Sequence, residues 1–573
     1  MFNSKIAKIF YQIAEFYAMQ DDKFRPRAYE KAARLISEME EDLSDIYKKS
    51  GVKGLMEVEG IGKGMAEHIE EYIKTGKIGV FEKLKRGAPI DLLSFEAIEG
   101  VGPKMIKILY EKLGIRNVQD LEKAARAKKI RTLPHFGEKT EENILRSIEL
   151  SREHRGRFSL GYVSPLVSKI EKDLASSAGV KKVLACGSFR RRKETVGDID
   201  FLAAADDSHA AMEYFISMPN VEKIIARGAT KSSVRLDIGI DADLRVVPER
   251  SFGAAEQYFT GNKDHNVELR KIAIKKGWKL NEYGLFDKNN KFLTGQTEEE
   301  IYKKLGLDWM PPEMRENRGE IELAQKHQLP KIVEYDEVLS DLQMHTTYSD
   351  GTHTVREMAE EAERLGRKYI AITDHVGHLK IAGAMDIKTI EKQWREIEKV
   401  DHAMNGIKIF KGCEVDINPD GTIALENKYL AKFDIVLGSI HSNFKMPKNE
   451  MTKRLIRAIE NPHINIIAHP TGRIIFRRSG YEFDFDAICQ AAAKNKTILE
   501  INAYPSRLDL NDLNIKRAIG CGVKLSLGTD AHSKNQLHYL ELGIAQARRG
   551  WAKKKDVVNC LEAEELSKFL NRK

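Results

Sequence analysis

The sequence predicts a multidomain chain: a helical N-terminal part, an α+β middle, and a C-terminal βα repeat forming a parallel sheet or barrel. Three observations predict this. Helix, glycine turn, helix patterns recur before residue 152. From about residue 158 the apolar pattern turns to β/α, with Asp198-Ile199-Asp200-Phe201-Leu202 reading as a strand. After about residue 338, seven apolar runs alternate with amphipathic helices. A chain of 573 residues exceeds what one core holds.

Composition narrows the function classes. The hydrophobic content of 42% is that of an ordinary globular protein. No apolar run is long enough to span a bilayer. Near the N-terminus Ile6, Ile9, Phe10, Ile13 and Phe16 fall at helical spacing. Lys5, Lys8 and Glu15 interrupt them, so the segment does not read as a signal peptide. The five cysteines form no Cys-x-x-Cys, which fits a reduced cytoplasm and argues against thiolate zinc sites. A net charge of +8 is compatible with nucleic acid.

In the helical part, Gly60-Ile61-Gly62 joins two helices. Gly100-Val101-Gly102 repeats the pattern, and His135-Phe136-Gly137 is a weaker third copy. Such glycines permit a tight turn and expose backbone N–H groups at the second helix's start, where they can hold a DNA phosphate without reading bases. One copy alone would be an ordinary αα-hairpin; two favour gripping the DNA backbone.

The middle part centres on Gly187-Ser188, followed by Arg190, Arg191, Arg192 and Lys193. Free N–H groups and a hydroxyl at a helix start suit a phosphate. Asp198 and Asp200 alternate on a strand and so face one side. Two carboxylates beside a phosphate cradle suit a pair of Mg²⁺ ions. Further on, Asp237, Asp241 and Asp243 would share one face of an unbroken strand, and spacing does not choose among them. Tyr258-Phe259-Thr260-Gly261 bends into a helix carrying Asn266 and Arg270.

These motifs, Gly187-Ser188 to Asp200, Asp243-x-Arg245-x-x-Pro248 and Tyr258-Phe259-Thr260-Gly261, resemble those of family X DNA polymerases, and the resemblance runs from residue 1 to about 320. It implies helix-hairpin-helix domains gripping DNA at Gly60, Gly62, Gly100 and Gly102, then a nucleotidyltransferase palm and a thumb. It implies Asp198, Asp200 and Asp243 as catalytic carboxylates holding Mg²⁺ or Mn²⁺. Gly187, Ser188 and Arg191 would hold the triphosphate of a dNTP, with Arg190 and Arg192 solvated or near the template. Tyr258 and Phe259 would pack under the sugar and Gly261 would let the backbone lie close. Asn266 and Arg270 would reach the minor groove. Relatives often carry a basic residue where Asp241 stands. Some also cleave 5′-deoxyribose phosphate with a lysine, and the motif places His68 at that position, with Lys63, Lys74 and Lys77 off the pattern.

The seven C-terminal runs are 339–345, 369–375, 407–416, 433–441, 465–470, 497–503 and 524–532. Six carry a possible ligand near the end: His345, His375, Glu414, His441, His469, and Asp530 with His532. In a βα barrel those ends converge at one mouth, which is the case for a metal cluster. Asp350 is a ligand or a turn residue. His353, His378, His402, His463 and His538 lack this placement and read as surface or supporting residues.

Residues from about 335 onward resemble the PHP (polymerase and histidinol phosphatase) domain, through Asp-Leu-x-x-His-Thr, Ile-Thr-Asp-His, Gly-x-Glu-Val-Asp, Ile-Ala-His-Pro and Gly-Thr-Asp-Ala-His. The resemblance implies a seven-stranded (β/α) barrel and metal-hydroxide attack on a phosphate ester, with Mn²⁺, Zn²⁺ or Fe²⁺ suiting the N/O ligands. The family opens with His-x-His; this chain has Gln343-Met344-His345. Asp374 is expected to orient His375, and Arg507 to hold substrate phosphate.

The expected domains are 1–85 and 86–152 (helical), 153–250 (palm), 251–320 (thumb), 321–337 (linker) and 338–573 (PHP). The whole reads as a cytoplasmic, monomeric polymerase acting on gapped or primed DNA and dNTPs in base excision repair. Its PHP domain would act as a 3′→5′ exonuclease, also processing 3′ ends and abasic sites. Two alternatives are a polymerase with a structural PHP domain, which metal content would distinguish, and a small-molecule phosphoesterase, which binding to gapped DNA would oppose.

Overall fold

The computed structural model describes residues 2–571 apart from 40, 59, 96, 97, 99, 100, 135, 154, 155, 178, 378, 380 and 381. It divides into two compact units, Met1–Arg155 with Phe476–Ser479, and Gly156–Ile475 with Gly480–Lys573.

The first unit is helical. Helix α1 (Phe2–Met19) buries Ile6, Phe10, Ile13 and Phe16, the face that its spacing predicts. Helix α2 (Leu43–Glu57) is capped by the Asp42 carboxylate, which accepts from the Ser44 amide at 2.9 Å, and kinks at Gly51. A turn with Gly60 at φ +77° leads into α3 (Lys63–Thr75), which stops at left-handed Gly76. Helix α4 (Pro103–Leu113) follows Gly102 with proline in its first turn, and α5 (Glu138–Glu153) follows Gly137. One apolar core, including Ile6, Phe10, Leu43, Ile69, Ile106, Leu121 and Ile144, runs through the residues before and after 85.

The second unit opens with α6 (Leu160–Ala175) and a five-stranded sheet: β1 (Val180–Ala185), β2 (Asp198–Ala205), β3 (Val221–Ala226), β4 (Lys231–Leu236) and β5 (Asp241–Val247). Its order is β1-β2-β5-β4-β3, with β2 and β5 parallel and the other pairs antiparallel. The strand around Asp237 is broken: a turn with Gly239 at φ +89° separates β4 from β5, so Asp237 does not share a strand with Asp241 and Asp243. A short helix, α7 (Gly187–Arg190), follows β1. Helices α8 (Phe252–Thr260) and α9 (Lys263–Lys275) then pack with a three-stranded antiparallel sheet and the helix Glu298–Leu305. The stretch expected as a linker is packed: Ile321 and Ala324 lie in the core of this thumb, and Val333 in that of the barrel.

The C-terminal part is a parallel barrel. Its strands, in order round the sheet, are β6 (Ser340–Asp341), β7 (Tyr369–Ile372) continued by β8 (His375–Val376), β9 (Lys408–Asp416), β10 (Ile435–Ser439), β11 (Ile466–Ile467), β12 (Ile498–Asn502) and β13 (Leu525–Gly528). All seven expected runs carry a strand. The sheet closes where the His345 amide donates to the Ala531 carbonyl (2.7 Å) and the Asp530 amide to the Gln343 carbonyl (3.0 Å). Alternation sorts the apolar residues. Leu437, Ile466 and Ile498 join Leu566 and Leu570 of the last helix, while Val436, Ile467 and Leu499 face the outer helices. Among the described residues no helix is long and apolar enough to cross a membrane.

Candidate active sites

The first site is a cleft of about 450 Å³ over the palm sheet. It brings together Gly187, Ser188, Arg191, Asp198, Asp200, Tyr258, Phe259, Gly261, Asn266 and Arg270, ten of the residues singled out from the sequence. Lys193 of the basic run, with Arg157 and Lys263, to which the sequence reading gave no role, adds positive charge to its walls.

The register of β2 against β5 places Asp200 opposite Asp243 and Asp198 opposite Asp241. Arg235 grips Asp241 with two hydrogen bonds (2.7 and 2.9 Å), while Asp243 meets the Lys231 ammonium at 2.6 Å. Burial, then the Asp198 and Asp243 charges, push the Asp200 carboxyl up to about 6. Such crowding of carboxylates suits a divalent cation. Gly187 stands at φ +61°, and a Cβ there would lie 2.5 Å from Asp200 Oδ2, so only glycine lets the loop pass this closely.

One expectation is corrected here. Arg190 is not solvated. Its guanidinium donates to Thr260 Oγ1 (2.6 Å), Glu256 (2.6 Å) and Glu298 (2.8 and 3.0 Å), because burial leaves a guanidinium no other way to keep its charge. Arg192 stands at φ +54° with its guanidinium over the Phe189 ring. Asn266 is buried and its amide is engaged inside the protein: Nδ2 donates to the Tyr258 carbonyl (2.7 Å) and Oδ1 accepts from Gln257 (2.6 Å). Asn266 therefore holds the backbone of Tyr258, whose ring meets Phe259 edge-on at 5.1 Å.

In the helical unit, Gly62 and Gly102 precede α3 and α4 with no side-chain cap, and a Cβ on either would meet nothing within 4 Å. The leading amides of both helices are thus open to an anion. Gly100 lies outside the described residues. His68 is half-buried and stacks on Tyr29.

The second site is the mouth of the barrel. Three groups of donor atoms converge there, each within 4.8 Å: His345, Asp350, His375 and His532; His375, Glu414 and His441; and His345, Glu414 and Asp530. His469 joins them, its Nε2 3.0 Å from Glu414 Oε1. The His345 ring stacks 4.5 Å from both His375 and His532. His469 (φ +31°) and Asp530 (φ +55°) hold left-handed conformations that side chains seldom adopt, the kind of strain found at functional sites.

Buried polar atoms test whether these residues fit a metal. Nδ1 of His345 and Nδ1 of His469 are buried with no hydrogen-bond partner, while His345 Nε2 lies 3.2 Å from Asp530 and 3.3 Å from Glu414. Such atoms are costly unless a ligand satisfies them. Burial opposes ionisation of Glu414, but His375, His345, His441 and His469 hold its carboxyl well below the usual range. A buried carboxylate ringed by imidazoles fits an N/O-ligated ion.

Gln343 fills the place of the missing histidine. It is fully buried, its amide donates to Glu414 Oε2 (3.0 Å), and its oxygen accepts from Asn502 (3.2 Å). Asp374 does not act as expected toward His375. It accepts from the Thr346 amide (2.7 Å), Thr346 Oγ1 and Ser349 Oγ (both 2.5 Å) and Gln393 (2.6 Å), and so fixes the turn that presents Asp350. The orienting carboxylate that sequence reasoning missed is Asp416, 2.8 Å from His441 Nδ1. Its signal was its place two residues after Glu414 on the same strand. Arg507 lies at the mouth, Nε 3.5 Å from Asp530. His353, set aside as surface or supporting, is buried beside Thr352.

Family models match in the same order. They are a helix-hairpin-helix domain (1–78), a SAM-like helix-hairpin-helix tandem (90–149), the DNA polymerase beta palm (162–249) and thumb (255–316), and the PHP domain (341–504). This combination defines a family X DNA polymerase with a C-terminal PHP domain, and the chain belongs to that family. It is 37% identical over 576 residues to the DNA polymerase/3′-5′ exonuclease PolX of Bacillus subtilis (strain 168), covering 100% of both chains. Over 55% of its length it is 24% identical to DNA polymerase lambda of Arabidopsis thaliana, covering 62% of that protein. Over 34% it is 32% identical to a probable phosphatase of Thermoanaerobacter sp. (strain X514), covering 78% of it.

Proposed function

We propose that this chain is a DNA-directed DNA polymerase that fills short gaps in base excision repair. Its PHP site shortens 3′ ends by hydrolysis, abasic ends included. The observation that carries the reading is the single cleft in which the phosphate loop, two strand-borne aspartates and the Tyr258–Phe259 pair meet.

Asp198 and Asp200 of that cleft, with Asp243 opposite Asp200 on β5, would hold Mg²⁺ or Mn²⁺. When bound, such ions supply the Lewis acidity that activates the primer 3′-hydroxyl and offsets the triphosphate charge. Gly187, Ser188 and Arg191 bind the triphosphate. Tyr258 and Phe259 pack under the sugar beside Gly261 and disfavour a ribose 2′-hydroxyl. Arg270 reaches the minor groove, and Asn266 acts through Tyr258. The turns at Gly60, Gly62, Gly100 and Gly102 grip the DNA backbone on the 5′ side of the gap. With His68 where a lyase lysine would stand, that region binds rather than cleaves.

At the barrel mouth His345, Asp350, His375, Glu414, His441, His469, Asp530 and His532 form the donor set for Mn²⁺, Zn²⁺ or Fe²⁺. Arg507 steers the substrate phosphate toward it. The division at 85, 152, 250, 320 and 337 follows these tasks, in a chain acting as a monomer. A second reading, with a structural PHP domain, draws on Gln343, whose amide hydrogen-bonds Glu414.

A labelled primer on gapped DNA, with Mg²⁺ or Mn²⁺, tests this. Lengthening with dNTPs and shortening without them are expected. No lengthening with either metal would sink the polymerase reading, and lengthening without shortening would hand the barrel to the second reading.

A further inference from the structure

The loop that carries Arg191 is held from behind by the barrel. Arg191 is buried, and two of its nitrogens point into the protein. Nη1 donates to the Thr260 carbonyl at 2.5 Å and Nε to Glu316 Oε1 at 3.1 Å. The same Glu316 oxygen accepts from Arg549 Nη1 at 3.1 Å, and Oε2 accepts from Asn262 at 3.1 Å. Arg549 ends helix α10 (Leu540–Arg549), which packs into the outer layer of the barrel through Leu540, Ile544 and Ala547. Its side chain is only 2% exposed. It also donates from Nη1 to the Arg191 carbonyl (2.6 Å) and from Nη2 to Asp512 (2.6 Å). One turn earlier, Gln546 donates to the Arg192 carbonyl (3.1 Å).

We propose that Arg549 is a positioning residue for nucleotide binding. It fixes both the main chain of Arg191 and the carboxylate that orients the Arg191 guanidinium, so that the remaining donor, Nη2, faces the triphosphate. The proposal rests on the reading of Arg191 as a triphosphate ligand.

The physical case lies in the sharing of Glu316. Between two guanidiniums, its pull on Arg191 is balanced. Without Arg549 the carboxylate has Arg191 as its one remaining guanidinium partner and draws it away from the cleft. The Arg191 carbonyl and Asp512 then each lose a buried donor. A lysine has no planar fork and cannot serve three acceptors at these angles. The barrel thereby takes part in polymerisation through its back, not through its mouth.

Single-nucleotide insertion on gapped DNA, for wild type, Arg549→Met and Arg549→Lys, tests this, alongside gapped-DNA affinity and thermal melting. Arg549→Met is expected to raise the KM for dNTP about tenfold or more while kcat changes less than about threefold, as loss of ground-state binding requires. Arg549→Lys should recover only part of it, and DNA affinity should stay at the wild-type value. A wild-type KM in folded Arg549→Met overturns the proposal. So does a parallel loss of kcat, DNA affinity and melting temperature, which marks a merely structural role. If Arg549→Met does not fold, Glu316→Gln keeps the shape and removes the shared charge. It must raise the same KM, and a wild-type value overturns the proposal. A wild type that inserts nucleotide with no saturable dependence on dNTP overturns the cleft reading itself, and this proposal with it.

Discussion

Asp200 is placed where burial and two like charges oppose its ionisation, and its carboxyl rises from 3.8 to about 6. The sign follows from linkage. Between pH 3.8 and 6 the folded protein holds a proton that the unfolded chain has lost, so stability falls as pH rises through that window. The cost is full above it. Two pK units correspond to roughly 2–3 kcal/mol. In chelator, Asp200→Asn should therefore raise the melting temperature at pH 8 and leave it nearly unchanged at pH 4; an equal shift at both pH values would contradict the account. Gly187 makes the companion case. An alanine Cβ would sit 2.5 Å from Asp200 Oδ2 in a left-handed conformation. Gly187→Ala is expected to slow nucleotide insertion by about a hundredfold, since small misplacements of reacting groups are that costly. Insertion kinetics on a one-nucleotide gap would check it. Spacing alone did not choose among Asp237, Asp241 and Asp243, because an unbroken strand would turn all three one way. In the structure the Arg235 fork takes Asp241, Lys231 meets Asp243, and the register sets Asp243 opposite Asp200.

At the scale of elements, the strands were legible and the partners of their side chains were not. Seven apolar runs, six of them with a histidine or carboxylate near the end, announce a barrel mouth, because strand periodicity and ligand chemistry are both local. The roles of Arg190 and Asp374 were misread because each depends on a partner that folding brings close. Arg190 meets Glu298 across 108 residues of sequence, and Asp374 meets Thr346 across 28. The thumb offers a test of element packing. Gly253, on α8, faces the backbone of Thr297, and a Cβ there would lie 2.2 Å from the Thr297 Cα. Backbone cannot swing aside as a side chain can, so Gly253→Ala should cost at least about 2 kcal/mol. Urea unfolding would measure it, and a neutral result would contradict this packing. The barrel mouth offers another. Mn²⁺ or Zn²⁺ should raise the melting temperature by binding the folded state, and His345→Ala, which removes a buried imidazole from between Glu414 and Asp530, should weaken that shift.

For the whole molecule, the order of parts follows a sequence of tasks. In the proposed reading, helical hairpins with open leading amides grip the backbone, a carboxylate cleft extends a 3′ end, and a histidine-ringed mouth trims one. The middle and C-terminal parts form one compact unit, and the stretch between them is packed rather than free. Composition had suggested a charged connector there; the burial of Ile321, Ala324 and Val333 is a tertiary fact that composition does not carry. The account's central claim is that one chain holds two separate chemistries. Its most direct test follows a labelled primer on gapped DNA for wild type, Asp198→Ala and His469→Ala side by side. The account predicts that Asp198→Ala loses extension and keeps shortening, while His469→Ala loses shortening and keeps extension. Loss of both activities in either variant would contradict it.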